Sequence, residues 1–226
     1  MDHQFTHRLY EQFARIGKAV GNGHRIALLH YLGQGERSVE ALARLTGLSV
    51  ANASQHLQQL RHAGLVRTRK AGQHVFYRLT DDTGILQLLD TVRLLATRQL
   101  AEVEQLLATR PGHRAARVDA DELLRLCAQG RAVPLDVRPA EEYAAGHIRG
   151  AINIPLEELA ERHHELPSSG DTEIVAYCRG PYSHLAHEAV GLLRRQGRKA
   201  RPLDMGIPEW RLAGLPIETL NERSAA

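Results

Sequence analysis

The sequence predicts two domains of different class: a mainly α-helical domain with a β-hairpin over residues 1–110, and an α/β domain with a largely parallel sheet over 118–226. Three observations predict it. Apolar residues keep helical spacing through most of the first 107 residues, interrupted by one pair of strand-like runs around Ala71-Gly72. Beyond Arg117, helical and strand patterns alternate, as they do when crossover helices bury both faces of a parallel sheet. Between the two lies 108–117, ATRPGHRAAR, which breaks the helical pattern with Pro111 and Gly112 and holds no large apolar residue; a linker is assigned to 111–117.

Composition narrows the class of function. The chain has 226 residues, 43% hydrophobic and 24% charged, which is globular composition and argues against a disordered or membrane-embedded protein. No apolar run approaches the ~18 residues of a spanning helix. The opening MDHQFTHRLYEQF has neither an apolar core nor a small-residue cleavage site, so a cytoplasmic location is expected. Two cysteines, Cys127 and Cys178, are too few for a disulfide framework, and in a reducing compartment each is either core filling or chemistry. The net charge of +3 divides unevenly: residues 1–112 hold 14 Lys and Arg against 9 Asp and Glu, residues 113–226 hold 15 against 17. Positive charge gathered in the first half points to a polyanionic partner for that half.

The elements of the first half follow in order. Helices are predicted over 5–20 and 26–32, separated by Gly21-Asn22-Gly23, then over 38–45 with Ser38 as N-cap. After the turn Thr46-Gly47-Leu48, Ser49 caps a helix that runs to about Ala63 and stops at Gly64. Val50, Ala53, Leu57 and Leu60 form its inner face; Ser54 and the amides and ring of Asn52, Gln55, His56 and Gln59 lie on or beside the outer one. Such amides can make paired hydrogen bonds to adenine in a DNA major groove. Strands over 65–70 and 73–79 then make a hairpin carrying Arg67, Arg69, Lys70, His74 and Arg78, cations suited to phosphates. A final helix is predicted from Ile85 to Leu107, apolar at 85, 88, 89, 92, 95, 103, 106 and 107.

The run SVEALARLTGLSVANASQHLQQLRHAGLVRTRKAGQHVFYRL resembles the winged helix-turn-helix of the ArsR/SmtB family of bacterial repressors, over most of residues 5–108. The resemblance implies a homodimer on double-stranded operator DNA, with 49–59 as recognition helix, 67–78 as wing, and the first and last helices as dimer interface. Ser49, Asn52, Ser54, Gln55, His56 and Gln59 then face bases or phosphates. Many members bind metal through cysteines before the recognition helix or through Asp and His on the last helix. Here 35–42 has no cysteine and 85–107 has Asp90 but no histidine, and the 13 histidines show no paired ligand spacing, so no metal is expected.

In the second half helices are predicted over 119–129, 157–164 and 183–195, and strands over 132–136 and 173–177. Cys178 closes the last of these strands, ahead of the tight loop Arg179-Gly180-Pro181-Tyr182-Ser183 and a helix. Reactive groups collect at the carboxyl ends of parallel strands. Loop amides, the helix N-terminus and Arg179 are expected to favour the thiolate of Cys178. Cys127, inside LLRLC, reads as core.

Nearly all of this half resembles a rhodanese domain. The marks are Asp136-Val-Arg138, Glu142-Tyr143, GHIRGAINIP from Gly146 to Pro155, Gly206-Ile-Pro-Glu-Trp210 through Gly214-Leu-Pro216, and CRGPYS. The resemblance implies that Cys178 carries sulfane sulfur as a persulfide, cradled by the amides of 179–183; that covalent adduct is the one cofactor-like group expected. Thiosulfate users often carry a basic side chain late in the loop, where this chain has Tyr182 and Ser183, so weak thiosulfate turnover is expected. The related phosphatases use Cys-x5-Arg, but His184 stands at that sixth position and no anion fork is present. Fusions of this kind often carry a cysteine where this chain has Ser183, so a bridge from Cys178 to 183 cannot form. The expectation is a DNA-binding regulator responsive to a small sulfur donor (polysulfide, persulfide or thiosulfate), or alternatively a sulfurtransferase tethered to a DNA-binding, dimerising domain.

Overall fold

The computed structural model describes residues 3–109, 116–167, 172–181 and 183–220. Packing divides the chain into two compact units, Met1–Leu89 and Asp90–Ala226. The expected linker falls mostly outside the described residues.

The first unit is built on capped helices. α1 (His3–Val20) is followed by α2 (Gly23–Leu32), where the Asn22 side chain accepts from the Arg25 amide at 3.2 Å. A short strand β1 (Arg37–Ser38) leads to α3 (Val39–Thr46), capped by Ser38 and ended by Gly47 in the left-handed conformation, φ 67°. α4 (Val50–His62) starts where Ser49 Oγ accepts from the Asn52 amide at 3.2 Å. Each cap satisfies an amide that the helix itself leaves bare. Leu28, Leu29, Leu42, Ala53, Leu57 and Leu60 are fully buried and hold α2, α3 and α4 together. β2 (Val66–Ala71) and β3 (His74–Leu79) form the predicted hairpin, turning at Gly72 with φ 60°, and β1 adds to β3 in the antiparallel order β1-β3-β2. Val50 departs from the predicted inner face: it is 47% exposed, because as the first helical residue it lies past the end of the packed stripe.

The predicted helix over 85–107 is two. α5 (Asp82–Gln99) and α6 (Ala101–Ala108) meet at Leu100, whose backbone is extended, φ −113° and ψ 107°. No proline or glycine marks the break, so periodicity alone runs through it.

The second unit is a four-stranded parallel sheet. α7 (Ala120–Ala128), capped by Asp119, precedes β4 (Ala132–Asp136), α8 (Ala140–Ala145), β5 (His147–Ile148) and β6 (Ile152–Asn153). α9 (Leu159–Arg162), β7 (Glu173–Tyr177), α10 (Leu185–Arg195), β8 (Ala200–Pro202), α11 (Ile207–Leu212) and β9 (Ile217–Glu218) complete it. The order is β6-β4-β7-β8, with β5 and β9 paired antiparallel beside it. The pleat of β7 sorts the core: Ile174, Ala176 and Cys178 enter one layer with Ala189, Val190 and Leu193 of α10, while Val175 and Tyr177 enter the other with Leu123 and Trp210. Two predicted helices are shorter than expected. The segment 157–164 holds one α-turn, α9, between two 3-10 turns, and α10 begins at Leu185, leaving Ser183 and His184 ahead of it.

One polar cluster is built into this core. Asp136 and Arg138 are both fully buried, with Arg138 Nη2 2.6 Å from Asp136 Oδ2. Arg138 also donates to the Gly146 carbonyl at 2.8 Å, and Asn153 Nδ2 donates to the carbonyls of Asp136 and Arg138. The motif Asp136-Val-Arg138 is thereby a bracket that ties the end of β4 to the turns on either side. Buried charges are tolerable in this arrangement because each is paired and further hydrogen-bonded.

Candidate functional site

The outer face of α4 is simpler than the sequence implied. Asn52 and Gln55 are exposed, and Ser54 is half-buried. Gln59 is exposed too, but its side-chain oxygen accepts from Arg25 of α2. Arg25 also reaches the carbonyls of Ala19 and Lys18, at 2.5 and 2.8 Å. His56 leans on His24 with ring centroids 5.5 Å apart, and burial followed by the charges of His24 and Arg25 lowers its pKa. Ser49 acts as the cap. Asn52 and Gln55 are therefore the exposed amides of this face that make no contact with α2, while Gln59 and His56 join α4 to α2.

The hairpin cations are also sorted. All five are exposed. Arg69 Nη2 lies 2.5 Å from Glu36 Oε2 and its guanidinium sits over Phe76; the pairing with Glu36 raises the pKa of Arg69 and lowers that of Glu36. His74 stands 3.9 Å from Glu40. Arg67 and Arg78 face one another directly across the two strands. Like charges opposed in this way destabilise a ladder unless an anion lies between or near them. Arg67 and Arg78 thus stand as exposed cations across the hairpin, while Arg69 ties β2 to Glu36 ahead of β1.

Substituting Asn52 and Gln55 by alanine is expected to weaken binding to a cognate duplex by about 1–3 kcal/mol for each base pair no longer gripped by a paired hydrogen bond, while binding to an unrelated duplex stays the same. Equal weakening on both duplexes, measured by anisotropy at one salt concentration, would contradict the reading of these two residues as base readers.

In the second unit, Cys178 is 3% exposed at the carboxyl end of β7. Its sulfur lies 3.7 Å from the Gly180 carbonyl oxygen and 3.8 Å from that of Ser183. The loop is folded on itself: the Ser183 amide donates to the Gly180 carbonyl at 3.1 Å. That amide is consumed within the loop and does not point at the sulfur as the cradle expectation had it. Arg179 differs too. Its Nε and Nη2 grip Glu142 at 2.8 to 3.0 Å, and Glu142 is 1% exposed, so this guanidinium anchors the loop to α8. Tyr182 lies outside the described residues. Cys127 is half-buried, and burial pushes its thiol up, away from thiolate chemistry.

Two loop partners were not legible as such. Glu142 belongs to a stretch noted for its pattern, but its pairing with Arg179 spans 37 residues. Gly206 is the second. A Cβ there would lie 2.5 Å from the Arg179 carbonyl carbon and from Gly180 Cα, so backbone packs on backbone and no side chain fits. The Gly206 amide in turn donates to Glu209 Oε2 at 3.0 Å, a carboxyl whose pKa burial raises. Gly206→Ala is expected to displace the loop at a cost of about 1–3 kcal/mol. Thermal melting together with alkylation of Cys178 checks this, and an unchanged melt with an unchanged alkylation rate would remove the packing argument.

Among the described residues, no group of three or more His, Cys, Asp and Glu side chains could hold a metal ion. No described helix is long and apolar enough to cross a membrane.

A capped helix-turn-helix with a basic hairpin, followed by a parallel sheet that presents a cysteine loop, defines a DNA-binding regulator joined to a rhodanese domain. Comparison with known proteins agrees. Residues 20–69 match the model of a helix-turn-helix domain and residues 119–213 that of a rhodanese-like domain. The chain is 46% identical over 210 residues to the HTH-type transcriptional regulator Rv0324 of Mycobacterium tuberculosis (strain ATCC 25618 / H37Rv), covering 93% of this chain and 92% of that one. The chain belongs to this family of ArsR-type transcriptional regulators that carry a rhodanese-like domain. It is also 33% identical over 95 residues to the putative sulfur carrier protein YrkF of Bacillus subtilis (strain 168), covering 42% of this chain and 45% of that protein. A solved fragment from Mycobacterium bovis, described as a homodimeric winged helix-turn-helix DNA-binding domain, is 39% identical with a TM-score of 0.39, covering 44% of this chain and 90% of the fragment.

Proposed function

We propose that this regulator is a homodimeric repressor that reads reactive sulfur through a persulfide on Cys178. The observation that carries the reading is the placement of Cys178, a thiol at the carboxyl end of a central parallel strand, held in a loop pinned by Glu142 on one side and Gly206 on the other. In the loading step the Cys178 thiolate attacks the outer sulfur of a persulfide RSSH. The new S–S bond forms on Cys178, the old one breaks, and RS⁻ leaves with its electron pair. Polysulfides react in the same way, so no external oxidant is needed. The dimer reading is supported by the apolar residues left open on α1 and beyond: Phe5, Tyr10 and Phe13 are 59–65% exposed and Leu106 is 72% exposed.

Persulfidation adds an atom within reach of the Gly180 and Ser183 carbonyls, and the loop must yield or re-form around it. A change in DNA affinity then requires the loaded and reduced states to differ in free energy on DNA. Anisotropy of a labelled duplex from the protein's own upstream region, at fixed salt, reduced against polysulfide-treated, tests this: tight binding that weakens on treatment supports a sulfur-responsive repressor. A second reading, a sulfurtransferase or carrier tethered to a DNA-binding domain, is favoured by the likeness to YrkF, named as a putative sulfur carrier. Catalytic sulfur transfer with unchanged DNA affinity would select it.

A further inference from the structure

The end of the parallel sheet opposite Cys178 carries a second concave feature. A groove of about 410 Å³ is lined by Leu126, Arg131, Glu173, Arg194, Arg198, Lys199, Ala200 and Arg201. It sits where β4, β7 and β8 begin and where α10 ends. Five cations meet one carboxylate there, in a half of the chain that is otherwise net negative. The carboxyl-terminal dipole of α10 favours this charge but does not neutralise it.

The cations are not equivalent. Arg201 is balanced by carboxylates, with Nε 2.6 Å from Glu173 and Nη2 2.7 Å from Glu122. Arg194 and Arg198 are held by uncharged groups: Arg194 Nε donates to the Ala200 carbonyl at 2.9 Å and Arg198 Nη1 to the Pro167 carbonyl at 2.7 Å. Such bonds orient a guanidinium and leave its full charge. Arg131 meets the uncharged side chain of Gln129. Among the described residues, the five cations of the groove face two carboxylates, Glu173 and Glu122. Two of its forks are oriented before any ligand arrives, which lowers the entropy lost on binding.

Among the described residues no aromatic side chain lines the groove, so none of them stacks a base or an aromatic ligand. What fits is a run of tetrahedral anions. We propose that the groove is a second nucleic-acid contact, taking consecutive phosphates of the double-stranded DNA to which the same chain is bound. Covalent attachment to a DNA-bound unit presents phosphates at high effective concentration, so a site too weak to act alone becomes occupied. The groove reads no sequence, and its role stands or falls independently of the sulfur reading.

The test is the salt dependence of binding by the full chain to a labelled duplex of arbitrary sequence, between about 50 and 200 mM salt. The double variant Arg131→Gln, Lys199→Gln leaves the carbonyl-held arginines and the Arg201 ion pairs in place, and melting checks its fold. Each phosphate that the protein no longer neutralises lowers the steepness of log K against log salt by about 0.9. With one or two phosphates freed at each groove of a dimer, the steepness is expected to fall by about 2 to 4, and Arg131→Lys, Lys199→Arg is expected to restore it. Superimposed slopes overturn the proposal. Inorganic tripolyphosphate separates the sources: if it raises the melting temperature of the wild type but not of the double variant while the slopes coincide, the groove serves a free oligophosphate and the DNA assignment is overturned.

Discussion

In Cys178→Ala, polysulfide treatment is expected to leave DNA affinity unchanged, while the reduced protein binds as tightly as the wild type. Linked equilibria of this kind typically span about 1–3 kcal/mol, or roughly 5- to 150-fold in affinity, and the whole span is expected to vanish with the thiol. The side chain removed is small and its sulfur interacts only weakly with two carbonyls, so the fold tolerates the change. Cys127→Ser is the control. That thiol is disfavoured as thiolate by its burial, and its removal is expected to leave the response intact. The measurement is anisotropy on four samples of each protein, reduced and treated, with and without subsequent thiol reduction. A response that persists in Cys178→Ala moves the sensing group elsewhere; one abolished in Cys127→Ser as well makes the second thiol part of the response.

Arg138→Met is expected to produce the largest drop in stability, about 3–5 kcal/mol, because it leaves the Asp136 carboxylate fully buried without its partner. Asp136 is paired in register with Tyr177, the residue before Cys178, so distortion at the end of β4 passes directly to the base of the sulfur loop. The double variant Asp136→Leu, Arg138→Met removes both charges and is expected to recover a substantial part of the stability, since an apolar pair of similar volume does not incur the desolvation of either ion. Denaturant unfolding of the three variants measures this. A drop under about 1 kcal/mol in Arg138→Met would place the bracket among weak surface-like pairs.

Features set by neighbours in sequence were legible before the fold was known. Ser38 and Ser49 cap helices as expected, and Gly47 and Gly72 turn the chain where a left-handed residue is needed. The strand leading to Cys178 was equally visible, since Ile174 to Tyr177 is an uninterrupted apolar run. What could not be read depends on distant partners. Nothing near Arg179 announces that Glu142 will take its guanidinium, and nothing near Gln59 announces Arg25. The amides of 179–183 looked like a free cradle in sequence, yet one of them closes the loop internally. The break at Leu100 falls in a stretch with no helix-breaking residue. β5 and β9, two residues each, are too short to carry a pattern, and only their mutual pairing makes them strands.

That last pairing bears on how the molecule is made. The first unit closes through helices and a hairpin adjacent in sequence, and all of its strands and helices up to the start of α5 have been synthesised by residue 89. The second unit cannot complete its pairing until β9, at Ile217–Glu218, reaches β5 at His147–Ile148. Local structure forms quickly and long-range strand pairing slowly, and chains fold from the amino end as they emerge. A growing chain therefore has every element of its DNA-binding unit in hand well before β9 emerges to complete the unit that holds the cysteine loop.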